Sequence, residues 1–481
     1  MPPRPRRSTE AGTLVITNWR DLDHPEAGGA ELVCHELAAR YAARGRDVVL
    51  LAAAVAGRPR VEQRDGYRIV RGGGRFSVYA HALWWLLRHR RGVGAVVDSQ
   101  NGIPFFTPLV VPARTPTLML LHHVHQEQFA EYFPAPVAAL GRWLESTASR
   151  RVYGRRAVVA VSPSTRTDAR RRLGLRGSLW VAPPGLSVTP AADVERSERP
   201  TIVTVGRLVH HKQVAHVIGA LPAVLERHPD LTMTFIGRGP ERDALVTLSE
   251  FLGVAHAVEF RADLDDAARD RALAGAWMSV NASQGEGWGL SVLEANAQGV
   301  PVLAYRRRGL RDSIVDGETG WLIEEDADLA LAIADRLDEL GDPDVAARYA
   351  RDSRDWAATF TWEAMADRVQ VALDCEQDRL ASGRDGGRTL SDAATVLTLP
   401  VDLVPTDWRT RLRRSDLAER DGNLVRILCL DTDVLAAEHV LEQLGLVKGS
   451  PNRERVRVEV ARTRDYLSLR RPVHRGSLAE R

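Results

Sequence analysis

The stretch 283-SQGEGWGLSVLEANAQGVPVLAY-305 holds two glutamates, Glu286 and Glu294, eight positions apart, with glycines and a short apolar run between them. Its pattern predicts a glycine loop that turns into a helix and then a buried strand. Glycine lets the backbone approach a ligand closely. The first turn of a helix presents free N–H groups and a partial positive charge, which together suit a phosphate. On this reading Gly287, Trp288 and Gly289 contact the substrate, and Gly289, Leu290 and Ser291 supply amides. Glu294, one turn further along, would repel a phosphate but can accept two hydrogen bonds from a vicinal diol such as a ribose. Glu286, ahead of the helix, suits a sugar hydroxyl on the other side. Polyol, phosphate, polyol is the order of groups in a nucleotide sugar.

Outward from this stretch the same rhythm repeats. In the 481 residues, "GTLVITNW", "DVVLLAA", "VGAVVDSQ", "TPTLMLLHH" and "RAVVAVSP" read as buried strands, with helical patterns such as "GGAELVCHELAARYAARG" and "FSVYAHALWWLLRHRRG" between them. The helix in "STRTDARRRLG" is read as capped by Ser164 and Thr165 and stopped at Gly174. The polar segment 189–200, "TPAADVERSERP", reads as a linker. After it the pattern restarts with "TIVTVGRL", "LTMTFIGRGPER", "AVEFRA", "WMSVNAS", "PVLAY" and "GWLIE". Strand–helix–strand alternation implies a parallel sheet with right-handed crossovers. Two such halves predict two α/β, Rossmann-like domains facing each other across a cleft, since open sheets bind ligands beyond their carboxyl ends.

The expected boundaries are a disordered tail at 1–11, an N-terminal domain at 12–188, a nucleotide-sugar domain at 189–380 whose last helix can return to the first, and a linker plus accessory segment at 381–481. In that segment "ATVLTLPVDLVP", "LVRILCLDTDVLAAEHVLEQLGL" and "RVRVEVARTRDYLSL" predict strand, strand–helix and strand, a small α/β module without a chemical motif.

Composition narrows the class. Net charge is +2, yet residues 1–185 carry 27 arginines against 14 acidic residues, a surplus of 13; the other 38 basic and 49 acidic residues leave a deficit of 11. The first half should favour anionic partners. Trp84, Trp85 and the cluster Arg88–His89–Arg90–Arg91 form a candidate contact with an anionic membrane, set against an ordinary helix with its tryptophans in the core. Three scattered cysteines fit a reduced, cytoplasmic setting, at the inner face of the membrane if such contact is made. No run of about 18 apolar residues is present. Aromatic interleaving with the arginines is absent, which argues against a nucleic-acid binder. The only lysines are Lys212 and Lys448, so a phosphorylase with a cofactor lysine has few places for one.

Lys212 falls in "VGRLVHHK", just past the first strand of the second half. With Arg207 it forms a candidate clamp for a diphosphate, neutralising charge on a leaving group. At this point residues 12–375 resemble the retaining glycosyltransferases of the GT-B fold, family 4. The resemblance rests on "NWRDLDHPEAGGAEL", "VGRLVHHK", "FIGRGPE", "EGWGLSVLEANAQGVPVLA" with its E-x7-E spacing, and "DGETGWLI". It implies that Gly28 and Gly29 form a loop against the donor diphosphate and the acceptor. It implies that Arg207 and Lys212 clamp the diphosphate, that Glu286 meets the donor sugar, and that Glu294 holds the ribose. In "LLHHVHQEQF" it implies a histidine near the transferred sugar; His122, His123 and His125 compete, and strand register favours His122. The family uses no metal or other cofactor, and the strings "DLD" at 21–23 and "DTD" at 431–433 are read as chance. The expected activity is hexose transfer with retention from a UDP- or GDP-linked sugar to a carbohydrate, glycolipid or lipid-linked acceptor. The rivals are a non-catalytic GT-B glycan-binding protein and a GT-B epimerase or phosphorylase.

Overall fold

The computed structural model describes residues 12–381, except 189, 192 and 263, and residues 393–462, except 406, 413–416, 431–433 and 447–449. The expected disordered tail, the linker after residue 381, the Asp431–Asp433 string and the extreme C-terminus lie outside the described residues. The described residues divide into two compact units: those up to Ala160 with Asp168–Ala182 and those from Ala366 on, and those of Val161–Thr167 with Pro183–Met365.

The first unit is built on eight strands, β1 (Thr13–Thr17), β2 (Val48–Ala52), β3 (Val61–Arg64), β4 (Tyr67–Arg71), β5 (Val93–Asn101), β6 (Thr117–His123), β7 (Ala157–Ala160) and β8 (Leu179–Val181), in the order β3-β4-β2-β1-β5-β6-β7-β8. All neighbours are parallel except β3, which pairs antiparallel with β4. Sandwiched strands must be apolar on both faces, and β2 is buried at every position. Val15, Val49, Leu51 and Val96 form a core under the helix Ser77–His89, which contributes Val78, Ala82 and Leu86. The β3–β4 hairpin was not foreseen, although its turn carries the Asp65–Gly66 pair, with φ of 44° and 82°, that two-residue hairpins favour. The helix Pro163–Arg171 starts one residue before the expected cap: Ser162 Oγ, not Ser164 or Thr165, accepts from the Thr165 N–H at 3.0 Å, and Pro163 takes the first helical position.

The long helix Trp362–Ala381 joins this unit from Ala366 on. Tyr41 Oη donates to the Ala366 carbonyl at 2.8 Å, and Arg156 pairs with the buried Glu376 at 3.1 Å. The C-terminal segment forms an antiparallel sheet of β15 (Ala393–Pro400), β16 (Leu417–Asp421), β17 (Leu424–Leu430) and β18 (Arg457–Arg462), in the order β16-β17-β15-β18. Leu397, Leu399, Val425 and Ile427 pack with Val440 and Leu441 of the helix Val434–Gln443. The strand, strand–helix and strand read from the sequence are present; β16 is the addition.

The second unit has β9 (Thr201–Val205), β10 (Thr232–Ile236), β11 (Val258–Arg261), β12 (Ser279–Asn281), β13 (Val302–Tyr305) and β14 (Gly320–Ile323). They form two three-stranded parallel sheets, β11-β10-β9 and β12-β13-β14. A parallel bridge between Ile202 and Met278 sets β9 beside β12. The resulting order 3-2-1-4-5-6 is that of a dinucleotide-binding sheet. The segment read as a linker is tied down here: Ala191 N–H donates to Gln298 Oε1 at 2.8 Å, Trp277 Nε1 donates to the Ser197 carbonyl at 2.7 Å, and Arg196 lies 3.8 Å over the Trp277 ring. A buried indole N–H needs an acceptor, and this strap supplies it.

Candidate functional site

In an open parallel sheet the ligand crevice lies beyond the carboxyl ends of the two strands where the order reverses. In the second unit these are β9 and β12. β9 runs into Gly206–Arg207–Leu208, and β12 runs into Ala282–Ser283 and the loop that carries Glu286. A cavity of about 20 Å³ sits at this junction, lined among others by Arg207, Lys212, Asn281 and Ser283. The glycines of "FIGRG" explain how the loops fit. A Cβ on Gly237 would stand 2.0 Å from the Gly206 carbonyl oxygen, and Leu208 N–H donates to the Arg238 carbonyl at 2.9 Å.

Two backbone contacts place the charged groups. Gln284 N–H donates to the His211 carbonyl at 2.9 Å, and Glu286 N–H to the Arg308 carbonyl at 3.0 Å. The first brings the "HHK" turn at His210–Lys212 against the glutamate loop, the second ties that loop to the segment after β13, and Lys212 Nζ bonds Glu286 Oε1. Ser283 Oγ also donates to Glu286 Oε1, at 2.8 Å. Burial acts to raise the Glu286 pKa, but the charge and hydrogen bond of Lys212, with that of Ser283, outweigh it and hold the carboxyl below its usual range. Arg207 is exposed beside the same cavity, and its side chain has no hydrogen-bond or ion-pair partner among the described residues.

The helix Leu290–Ala297 starts from Gly289 in the left-handed region, φ 102°, as the sequence suggested. The loop is fixed from behind, where Thr165 Oγ1 donates to the Gly287 carbonyl at 3.2 Å. Asn281, lining the cavity, donates to Ser291 Oγ at 3.4 Å. The cations, Glu286 and the helix tip therefore share one region of the second unit. Glu294 is partly buried one turn in, and its carboxylate has no hydrogen bond or ion pair among the described residues. Burial pushes its carboxyl up, Arg269 opposes that, and Asp270 and Asp266 add to it. Trp288 is placed differently from a ligand-facing ring: it is 3% exposed and packs edge-to-face on Phe360 with centroids 5.1 Å apart.

The first unit has its own reversal, between β1 and β5. Asn18 follows β1, Ser99 lies near the end of β5, and His122 lies near the end of the neighbouring β6. Ser99 Oγ contacts His122 Nε2 at 2.9 Å and donates to Asn18 Oδ1 at 3.1 Å. Asn18 Nδ2 donates to the Arg20 carbonyl at 2.8 Å and lies 3.4 Å from Glu31 Oε1. Glu31 pairs with Arg20 at 3.2 Å, and its other oxygen accepts from the Gly28 N–H at 2.8 Å, capping the helix Gly29–Ala43. Gly28 and His122 thus belong to one connected array. Burial, then the neighbouring His125, depress the His122 pKa to about 3, so the ring is neutral at ordinary pH. His125 is engaged elsewhere, its N–H donating to the buried Glu145 at 2.6 Å, and His123 is half-buried.

Sequence reasoning did not single out Asn18, Ser99, Glu31, Asn281 or Ser283. For four of them the one signal was position, at or just past the end of an apolar strand; Glu31 instead lies in the first turn of the helix Gly29–Ala43. The Asp21–Asp23 string is structural: Asp21 and Asp23 grip the buried Arg71, and Asp23 also pairs with Arg64 and with Arg58 at 2.9 Å. On the helix Ser77–His89, Trp84 is 57% exposed under Arg88, whereas Trp85 packs on the core and stacks with His89. A second exposed apolar row, Val137, Leu140 and Trp143, lies on the helix Ala135–Trp143. Among the described residues no helix is long and apolar enough to cross a membrane.

The model of the family described as glycosyltransferase family 4 matches residues 27–189, and that described as glycosyl transferases group 1 matches residues 189–355. A GDP-mannose-dependent alpha-(1-6)-phosphatidylinositol monomannoside mannosyltransferase of Mycolicibacterium smegmatis is 32% identical over 249 residues, 47% of this chain and 64% of the relative. The match thus spans less than two thirds of that relative's length. A D-inositol 3-phosphate glycosyltransferase of Acidothermus cellulolyticus is 28% identical over 331 residues, 63% of this chain and 68% of the relative. The solved sucrose-phosphate synthase of Thermosynechococcus elongatus superposes with a TM-score of 0.65 at 20% identity, over 78% of this chain and all of that one. At that identity the likeness concerns the fold, which is GT-B. With two models meeting at residue 189 and together taking in residues 27–355, the chain belongs to the group 1, family 4 glycosyltransferases.

Proposed function

We propose that the chain transfers a hexose from a UDP- or GDP-linked sugar to an acceptor hydroxyl, with retention at the anomeric carbon and without a metal cofactor. The observation that carries this reading is the convergence of Lys212, Arg207, Glu286 and the Leu290–Ala297 helix tip at the β9/β12 reversal. In this reading the diphosphate lies against the helix amides and the two cations. When the bond from the anomeric carbon to the diphosphate breaks, charge grows on the departing oxygen, and preorganised donors stabilise it without reorganisation. The new bond forms from the acceptor oxygen on the same face, and its proton passes to the leaving phosphate. Glu294 takes the ribose hydroxyls, Glu286 orients the sugar, and neutral His122 accepts or donates a hydrogen bond without acting as a base.

The relatives named above act on GDP-mannose with a phosphatidylinositol monomannoside and on D-inositol 3-phosphate, so GDP-mannose is the first donor to test, followed by UDP-glucose. A lipid-linked acceptor suits the exposed Trp84 and Leu87 beside Arg88, and the Val137, Leu140 and Trp143 row beside Arg142. The reaction is tested by following nucleoside diphosphate release with candidate acceptors in EDTA, and the anomeric coupling of the product by NMR. Release with acceptor and a retained configuration support the proposal. Release that needs a divalent metal, or an inverted product, would overturn it.

A further inference from the structure

The hydrogen bonds around Ser99 fix more than its position. Asn18 Nδ2 donates to the Arg20 carbonyl, which can only accept, so the Asn18 amide has one orientation and its Oδ1 faces Ser99. Ser99 has one hydroxyl proton, and Asn18 Oδ1 takes it. Cys34, whose thiol also contacts Ser99, is buried with its pKa pushed up to about 12, so it remains S–H and cannot take that proton as a thiolate. The Ser99 oxygen must then accept from His122 Nε2 at 2.9 Å. His122 Nδ1 has no hydrogen-bond partner among the described residues. We infer that Asn18 and Ser99 are positioning residues that hold His122 in its Nε2–H tautomer, leaving Nδ1 as an acceptor for a ligand hydroxyl.

The array starts at Glu31, which Arg20 and the Gly28 N–H already satisfy, so the glycine loop and the histidine are set together. Such a tautomer reads a hydroxyl and disfavours a carboxylate or an ether at the same place. That last consequence rests on the proposed function; the tautomer does not.

The test is the ring ¹⁵N spectrum of the 481-residue chain labelled at histidine, with the His122 signals assigned by their loss in His122→Gln. Expected are a protonated Nε2 whose proton is protected from exchange, and an unprotonated Nδ1. Asn18→Ala frees the Ser99 proton to point at His122, and the ratio of the two tautomers should move on the order of fivefold, the weight of one net hydrogen bond. Ser99→Ala should end the exchange protection. A wild-type His122 protonated at Nδ1, or a ratio that Asn18→Ala leaves unmoved, overturns the inference. If Asn18→Ala or Ser99→Ala fails to fold, the assigned wild-type spectrum still decides it. With the tautomer established, loss of discrimination between a donor sugar and its deoxy analogues in Asn18→Ala supports the link to donor recognition. Unchanged discrimination removes that link alone.

Discussion

The Lys212–Glu286 pair admits two explanations that kinetics separate. If Lys212 serves only to neutralise a half-buried carboxylate, the double variant Lys212→Met/Glu286→Gln keeps the local charge balanced and restores what Lys212→Met loses. If Lys212 carries leaving-group charge, kcat stays about 10²- to 10³-fold down in both, the usual cost of one preorganised donor. Glu294→Ala should instead raise the donor KM by roughly 10- to 100-fold with a smaller effect on kcat, as loss of a charged hydrogen bond worth about 1.5–3 kcal/mol implies. His122 makes a pH prediction. Its folded pKa lies near 3, below the ordinary 6.5. The unfolded chain therefore takes up a proton that the folded chain refuses as pH falls from about 6.5 towards 3. Stability is undiminished by this group above that window and declines within it, and denaturant midpoints of His122→Gln should decline less steeply. Lys212, Arg207 and the two glutamates were legible because they lie in short motifs whose spacing carries the geometry. Asn18 and Ser99 were not, because 81 residues separate them and only the parallel pairing of β1 with β5 brings them together.

At the scale of elements, turns decide where the chemistry sits. Gly289 has φ 102°, and a Cβ there would stand 2.9 Å from Ser313 Oγ. Gly289→Ala should cost on the order of 1–3 kcal/mol in urea unfolding and weaken diphosphate binding more than it weakens the fold. The glycine loop and its helix were readable from the local pattern, as were the fully apolar strands of the two units, whereas β4, whose side chains alternate between buried and exposed, was not. The supposed linker was misread because its polarity resembles that of free loops, while its anchors, the Trp277 indole and Gln298, lie far along the chain. Trp288 was read as a ligand contact from its place in the motif. The Phe360 ring that buries it comes from a later element, whose approach no local pattern shows.

For the whole molecule, the half of the sequence with a surplus of arginine also carries two exposed apolar rows, of which sequence reading found one. Flotation with vesicles containing anionic lipid at low salt should carry the protein upward, and Leu140→Ser/Trp143→Ser should abolish this; unaltered flotation assigns the contact elsewhere, and no flotation removes the membrane from the proposal. The accessory sheet was legible as strand and helix, yet no motif states its role. What the fold contributes is a reversal of strand order among the parallel strands of each unit, and the second unit places two cations and a helix tip at its own. The most direct test is calorimetric titration of GDP and UDP in EDTA into the wild type and Arg207→Ala/Lys212→Ala. One metal-free site is expected, weakened by at least about 100-fold in the double variant, since two charge-assisted contacts are lost. Equal affinity in the two proteins, or binding only when a divalent metal is added, would contradict it.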